Sequence, residues 1–563
     1  MPDSFFQSDK KRKRPARSGE SSDGPSRGRE RDEDLSSDAE GDDGGDLDDM
    51  DFRGDQNRDR EDEEVIDENE TGAEKRVRLA RGYLKKVQDE VEAAKDDQDY
   101  DAAEIDRELI AARLQKDVSE TEGRIHSFLA SRPLSITSKL VKLPTHIPTS
   151  VALTPTSLVV STKRGLMFRY ALPSLQQIGK PFGQAQATPA TTSKGLAAPT
   201  GHTGELYCVA ASEDGRFIVS GGKDKLVGVW EVSEEGGVKW LTGMRGHKDS
   251  VTSIAFPPLS NPSHHILSAS LSRHLALHSL STLSAIDTFF GHQDSISSIS
   301  SLKPTLAVTA GSRDRTCRWW KVEEEIQLVF RGGGKSFEGQ SAKGEAKKGE
   351  PAEEEIGADG MEVDRRKEKG KGRGKEFIEG SIDTVCMLDD QRFVSGGDSG
   401  SLCLWQTAKK KPIFTHPLAH GVDNLLHEDD KEMTGPRWIT AIGALRGSDI
   451  FATGSWDGVI RLWALDPALR AFKPIHTIAV PGFINSIQIL SVPSSSMANG
   501  GGDQVRKGKS AKGKMEILLV AAVAQEPGLG RWMSIKKGVK SGAFVAHLKF
   551  GEEGRGAVNG TEL

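Results

Sequence analysis

The sequence predicts an all-β fold, a seven-bladed β-propeller set behind an N-terminal helical arm and a disordered N-terminal tail. Three observations lead there. A short pattern recurs along the chain, the residues between its copies read as strands, and the N-terminal part is too charged to build a core. The pattern is first met in "SGGKDKLVGVW", residues 220–230, where Ser220, Asp224 and Trp230 stand at fixed offsets and His202 lies 18 residues before the serine. One such set could be a Ser-His-Asp catalytic group. Repetition decides against it, because a catalytic site is normally built once whereas a structural device recurs with its architecture.

The copies are explicit. "AGSRDRTCRWW" ends at Trp320 and "TGSWDGVIRLW" at Trp463, with Asp314 and Asp457 six residues before those tryptophans. "SGGDSGSLCLW" ends at Trp405 with Ser399 in the aspartate place, "SASLSRHLALH" ends at His278 with Ser272 there, and a weaker copy, "VSTKRGLMFRY", ends at Tyr170. The pairs Gly201-His202, Gly246-His247 and Gly291-His292 precede three copies, the latter two 45 residues apart. These landmarks resemble the WD-repeat propeller family, in which each unit is a four-stranded blade. In such a blade the turn aspartate accepts from the histidine ring, the histidine meets a Ser or Thr, and that hydroxyl reaches the indole N–H. His202, Ser220, Asp224 and Trp230 are therefore read as a structural network, as are His292, Asp314 and Trp320, and Asp457 with Trp463.

The elements follow in order. Residues 1–72 read as a disordered tail with a basic block, Lys10, Lys11, Arg12, Lys13 and Arg14, and an acidic stretch over about residues 30–70. The net charge of −7 hides this contrast. The basic block is expected to act as a nuclear import signal. Over 73–132 apolar residues recur at helical spacing (Ala80, Tyr83, Leu84, Val87, Val91, then Ile105, Leu109, Ala112, Leu114), which predicts an arm of two amphipathic helical segments. The propeller spans 133–550, with His146 standing where the Gly-His histidines stand later. Units ending at Tyr170, Trp230, His278, Trp320, Trp405 and Trp463 count six blades, and "FINSIQIL", "MEILLVAAV" and "GAFVAHLKF" form the seventh. A strand over 136–143 is expected to pair into that last blade and shut the ring, leaving no open edge. Low-complexity insertions at 184–198, 332–375 and 494–514 are expected as mobile loops, and 551–563 as a disordered tail.

Several function classes find no support. There is no run of 18 apolar residues and the N-terminus lacks the apolar centre of a signal peptide, so the reading is a soluble intracellular protein without membrane contact. Cys208, Cys317, Cys386 and Cys403 are scattered without a CxxC pair, which indicates neither zinc nor disulfides, and no cofactor or small-molecule substrate is implied. "RGGGKS" at 331–336 fails as a phosphate-binding loop, since Val329 stands where the first glycine is required.

Four stretches go beyond the fold: "RVRLARGYLKKVQDEV", "IDRELIAARLQKDVSETEGRIHSFLA", "RWITAIGALRGSDIFATGSWDGVIRLW" and "LVAAVAQEPGLGRWMSIKKGVKSGAFV". Together, over about residues 74–550, they resemble the WD-repeat subunit of the U3 small nucleolar ribonucleoprotein (snoRNP). The resemblance implies a non-enzymatic RNA-binding scaffold of the nucleolus, within the nucleus. Its implied partners are the box B/C region of U3 small nucleolar RNA, the protein on the RNA's kink-turn, and other proteins of the small-subunit processome that matures 18S rRNA. RNA binding needs cations for phosphates and planar groups for unpaired bases. The candidates are Arg313, Arg315 and Arg318 beside Trp319; Arg531, Lys536 and Lys537 beside Trp532; and Arg76, Arg78, Arg81, Lys85 and Lys86 on the arm. The competing reading is a nuclear WD-repeat adaptor, of chromatin or of a ubiquitin ligase, that reads peptides through its central channel.

Overall fold

Consecutive stretches of the chain build seven antiparallel sheets arranged around a central channel in the computed structural model. It describes residues 78, 82–83, 85, 102–185, 200–233, 237–258, 264–332, 335–337, 376–426, 432–493, 515–535 and 538–551. The basic block at residues 10–14, the acidic stretch, Arg76, Arg81, Lys86, Lys536 and Lys537 lie outside the described residues, as do most of the three insertions and the C-terminal tail.

The innermost strands are Pro148–Leu153, Leu206–Ala211, Val251–Ala255, Ile296–Lys303, Ile382–Met387, Ala441–Ala444 and Phe483–Pro493, one for each of blades 1 to 7. Blades 2 to 6 run outward in chain order through four strands. Blade 1 has three strands, and bridges from Met167 to Phe182 and Tyr170 to Gln177 hold chain in the fourth place. Blade 7 takes its outer strand from the other end of the protein. Leu134–Lys142 pairs with Gly542–Phe550 in unbroken register from Leu134↔Phe550 to Lys142↔Gly542.

Middle strands such as Val227–Val232 ("VGVWEV") and Leu402–Gln406 ("LCLWQ") are covered on both faces by neighbouring blades, so they read as apolar runs rather than alternations. The core is consequently divided into seven layers, one per blade junction. Trp319 and Phe330 of blade 4, for example, meet Phe393 and Trp405 of blade 5. A second tie runs along the channel. Thr252 Oγ1 donates to Ile296 O (2.7 Å), Ser297 Oγ to Ile382 O (2.9 Å), Thr440 Oγ1 to Ile484 O (2.6 Å) and Asn485 Nδ2 to Pro148 O (2.8 Å), each bond crossing to the next blade.

Turns between second and third strands share one device. The residue after the aspartate position is left-handed in Lys225 (φ 66°), Arg273 (72°), Arg315 (53°), Gly400 (69°) and Gly458 (74°). Where aspartate is present, its carboxylate accepts the amide two residues on, as in Asp314 with Thr316 (3.0 Å) and Asp457 with Val459 (3.1 Å). That local bond offsets the strain of a left-handed Lys or Arg.

The arm contains the helix Ala102–Thr121, whose apolar residues are not gathered on one face, in contrast to the amphipathic pattern expected. Residues 78, 82, 83 and 85 are also helical, and the Tyr83 hydroxyl donates to Asp117. Residues 126–130 dock on the connection between the first two strands of blade 6. His126 N and Ser127 N donate to Gly447 O (3.0 and 2.9 Å), and the buried Asp449 accepts from Leu129 N (2.8 Å) and Ala130 N (3.3 Å). Arg446 in the same connection reaches Glu213 of blade 2 (3.2 Å), so this end of the channel is bridged beside the arm. Two hairpins add to the blades: Lys335–Phe337 with Glu376–Ile378, and Val422–Leu426 with Glu432–Pro436.

Candidate nucleic-acid interface

The repeated His/Ser/Asp sets are assembled as the pattern requires. His202 Nδ1 lies 2.8 Å from Asp224 and its Nε2 2.7 Å from Ser220 Oγ, which also accepts Trp230 Nε1–H at 2.9 Å. Blade 4 repeats this through His292, Asp314, Thr309 and Trp320 (2.7, 2.7 and 2.8 Å). An indole N–H can only donate and a carboxylate can only accept, so the hydroxyl accepts from the tryptophan and the carboxylate faces a histidine Nδ1–H. Burial disfavours the Asp314 carboxylate, yet the hydrogen bond and charge of His292 together with the Thr316 bonds hold its pKa below the ordinary value. Ser220 and Thr309 are fully buried, so no substrate reaches either hydroxyl. In blade 3, His247 and His278 both bond Ser268 (2.7 and 2.8 Å), and burial pushes their pKa values down to about 3 and about 4. Sequence reasoning did not name the hydroxyl members Thr309 and Thr453, and it missed a histidine. His420 completes blade 6 with Asp457 (2.8 Å) and Thr453 (2.9 Å), although it follows Ala419 rather than glycine.

All these networks lie at one end of the propeller, the upper face, where second strands turn into third strands. In blades 1 to 6 that connection has three or four residues, whereas blade 7 uses residues 525–541. This long loop places Trp532 against aromatic rings of two blades. Its ring centroid is 4.6 Å from Trp438, 5.5 Å from Trp456 and 5.8 Å from Phe483. Trp532 stays 47% exposed while Trp456 beneath it is 9% exposed, so one broad aromatic shelf faces solvent. Arg531, next to it, is 73% exposed and 3.9 Å from Glu526.

The same face carries exposed cations on successive turns: Arg164 in blade 1, Lys223 and Lys225 in blade 2, Arg273 in blade 3, and Arg313 and Arg315 in blade 4. With Arg531 and Lys540 of blade 7 they form a basic crescent over blades 7, 1, 2, 3 and 4. The signal that could have found the first four is positional, since each is one of the residues of the turn around the aspartate place.

Residues 194–231, 283–321 and 430–464 match the family described as WD domain, G-beta repeat. A WD repeat-containing protein of Schizosaccharomyces pombe is 34% identical over 525 residues, which are 86% of this chain and 86% of that one. The Homo sapiens protein named U3 small nucleolar RNA-interacting protein 2 is 27% identical over 84% of this chain and 82% of its own. The solved structure titled "Crystal structure of RRP9 WD40 repeats" is 26% identical, with a TM-score of 0.53, and covers 76% of this chain and 100% of that one. The chain belongs to the U3 snoRNP-associated, ribosomal RNA-processing family of WD-repeat proteins.

Within this U3 snoRNP-associated fold the predicted RNA candidates separate. Arg531, Trp532, Arg313 and Arg315 are exposed on the upper face. Trp319 is instead 3% exposed, packed on Phe393 (6.1 Å), and Arg318 is buried with its guanidinium on Gln327 (2.6 Å). Both faces of a middle propeller strand are covered, so adjacency to arginines in sequence does not bring Trp319 to the surface. Arg78 and Lys85 are helical in the arm, Arg78 half-buried and Lys85 exposed.

Proposed function

We propose that this protein is a non-enzymatic RNA-binding and scaffold subunit of the U3 snoRNP, acting in small-subunit processome assembly and 18S pre-rRNA processing in the nucleolus. The observation that carries the reading is the upper face, where a basic crescent runs into the Trp438–Trp532 shelf. Lysines and arginines on successive turns suit a phosphate backbone, and an exposed tryptophan ring suits an unpaired base. Buried hydroxyls in the repeated networks favour a scaffold over a hydrolase. The relative named U3 small nucleolar RNA-interacting protein 2 supports U3 as that RNA. We assign the box B/C region and the kink-turn protein bound there as its partners, and residues 10–14 as the nuclear import signal. The channel offers less to a peptide-reading adaptor, because its Thr252, Ser297, Thr440 and Asn485 side chains already bond the next blade.

A salt titration of affinity for U3 RNA tests this. Each phosphate contact contributes roughly 0.7 to 0.9 to the slope of log affinity against log salt, so replacing Arg531, Lys536 and Lys537 together should lower that slope by up to about two to three units. Replacing Arg313 and Arg315 should lower it by up to about two. Unchanged slope and affinity in both variants, with an unchanged circular-dichroism spectrum, would remove the upper face from the RNA interface.

A further inference from the structure

Lys163 sits in the short turn of blade 1 and is only 5% exposed, whereas Lys223 in the matching turn of blade 2 is exposed. What covers Lys163 is the long loop of blade 7. Its Nζ donates to Pro527 O (3.2 Å) and Gly530 O (2.5 Å), with Glu526 Oε2 at 4.0 Å. A buried ammonium is tolerated only when such acceptors replace water. Burial lowers the lysine's pKa, and the carboxylates of Glu205 and Glu526 act in the opposite direction. Asn485 of blade 7 grips the loop from the other side, donating to Glu526 O (3.1 Å) and accepting Gly528 N–H (2.8 Å) while it also reaches Pro148 O of blade 1. Gly530 adopts φ 77°, which turns the chain between the held carbonyls and Arg531.

We propose that Lys163, with Asn485, is a positioning residue that latches the 526–530 turn so that Trp532 presents a fixed ring face to an unpaired base of the bound RNA. This rests on the upper-face reading above and adds to it a residue that touches no RNA. The latch spans the junction of blades 7 and 1, so the loop that carries Trp532 is tied to blade 1 as well as packed on the rings of blades 6 and 7. Without the latch the loop would have to be ordered at the moment of binding, and that ordering entropy would be taken from the affinity.

Hydrogen exchange on the full-length Lys163→Met protein, read beside its affinity for U3 RNA, tests the proposal. Met keeps the apolar stem and removes the amine. Exchange at Gly528 and at Ile535, whose N–H donates to Gln525 O (2.9 Å) at the base of the same loop, should quicken by roughly tenfold or more, the consequence of losing a charge-assisted bond, with blades 2 to 5 unchanged. RNA affinity should fall about tenfold, and the salt slope should stay as in the parent because no phosphate contact is lost. Arg531→Ala should instead lower the slope. If Lys163→Met does not fold, Asn485→Ala releases the turn from its other side and should give the same pair of changes. Unaltered exchange at Gly528 and Ile535 would overturn the latch. Faster exchange with unaltered affinity would overturn the positioning role, and if Trp532→Ala also leaves affinity unaltered, the fault lies in the RNA reading of this face.

Discussion

A chain that begins at Leu143 should unfold at a markedly lower temperature than one that begins at Pro133. The longer version keeps Leu134–Lys142 and loses only the arm and tail; the shorter one strips blade 7 of its outer strand. Nine residues of Gly542–Phe550 then lose their partners, and Leu134, Ile136 and Leu140 no longer cover the layer formed by Phe544, Ala546 and Leu548. Counting about 0.5 to 1.5 kcal/mol per backbone bond and roughly 1 kcal/mol or more per half-buried aliphatic side chain, the loss is on the order of 10 kcal/mol. That is comparable to the whole stability of an ordinary domain. The bared edge also invites strand pairing between molecules, so the shorter chain should aggregate on heating. Equal thermal midpoints for the two truncations would mean that the ring does not depend on its N-terminal strand.

Thr453→Val should be the most damaging single conservative change in the repeated networks. Valine nearly matches threonine in shape, but one hydroxyl here serves two buried groups. Thr453 Oγ1 accepts Trp463 Nε1–H at 2.8 Å and lies 2.9 Å from His420 Nε2. His420 is fully buried and Trp463 is 1% exposed, so neither can turn to water. Each orphaned group costs about 1 to 3 kcal/mol, giving roughly 2 to 6 kcal/mol together. Denaturant unfolding measures it directly. A loss below about 0.5 kcal/mol would show that the network is decorative.

What the sequence revealed was whatever repeats or stays local. The seven-bladed ring was legible because each blade restates its strand pattern and turn, and the Asp314 and Asp457 turns behave as their composition requires. His420 was not legible. The hairpin Val422–Leu426 with Glu432–Pro436 lies between it and Thr453, so the pair is 33 residues apart, against 18 for His202 and Ser220. The RNA candidates divide by the same physics. Trp532 and Arg531 stand in a loop that the sequence marks as unlike the other turns, but Trp438, Trp456 and Phe483 reach Trp532 only through the packing of blades 6 and 7. Lys163 reads as one more basic turn residue until the loop of blade 7 is laid over it. Trp319 misled because proximity to arginines in sequence says nothing of which strand faces neighbouring blades cover.

The proposed function puts U3 RNA on the upper face of the propeller. Ultraviolet cross-linking of the intact protein in cells, followed by sequencing of the captured RNA and mapping of the cross-linked peptides, tests it most directly. U3 RNA should dominate the captured pool, the peptide containing Arg531 and Trp532 should carry cross-links, and Trp532→Ala should deplete them. U3 RNA no more abundant than the bulk RNA background, or cross-links confined to residues away from the upper face, would contradict the claim.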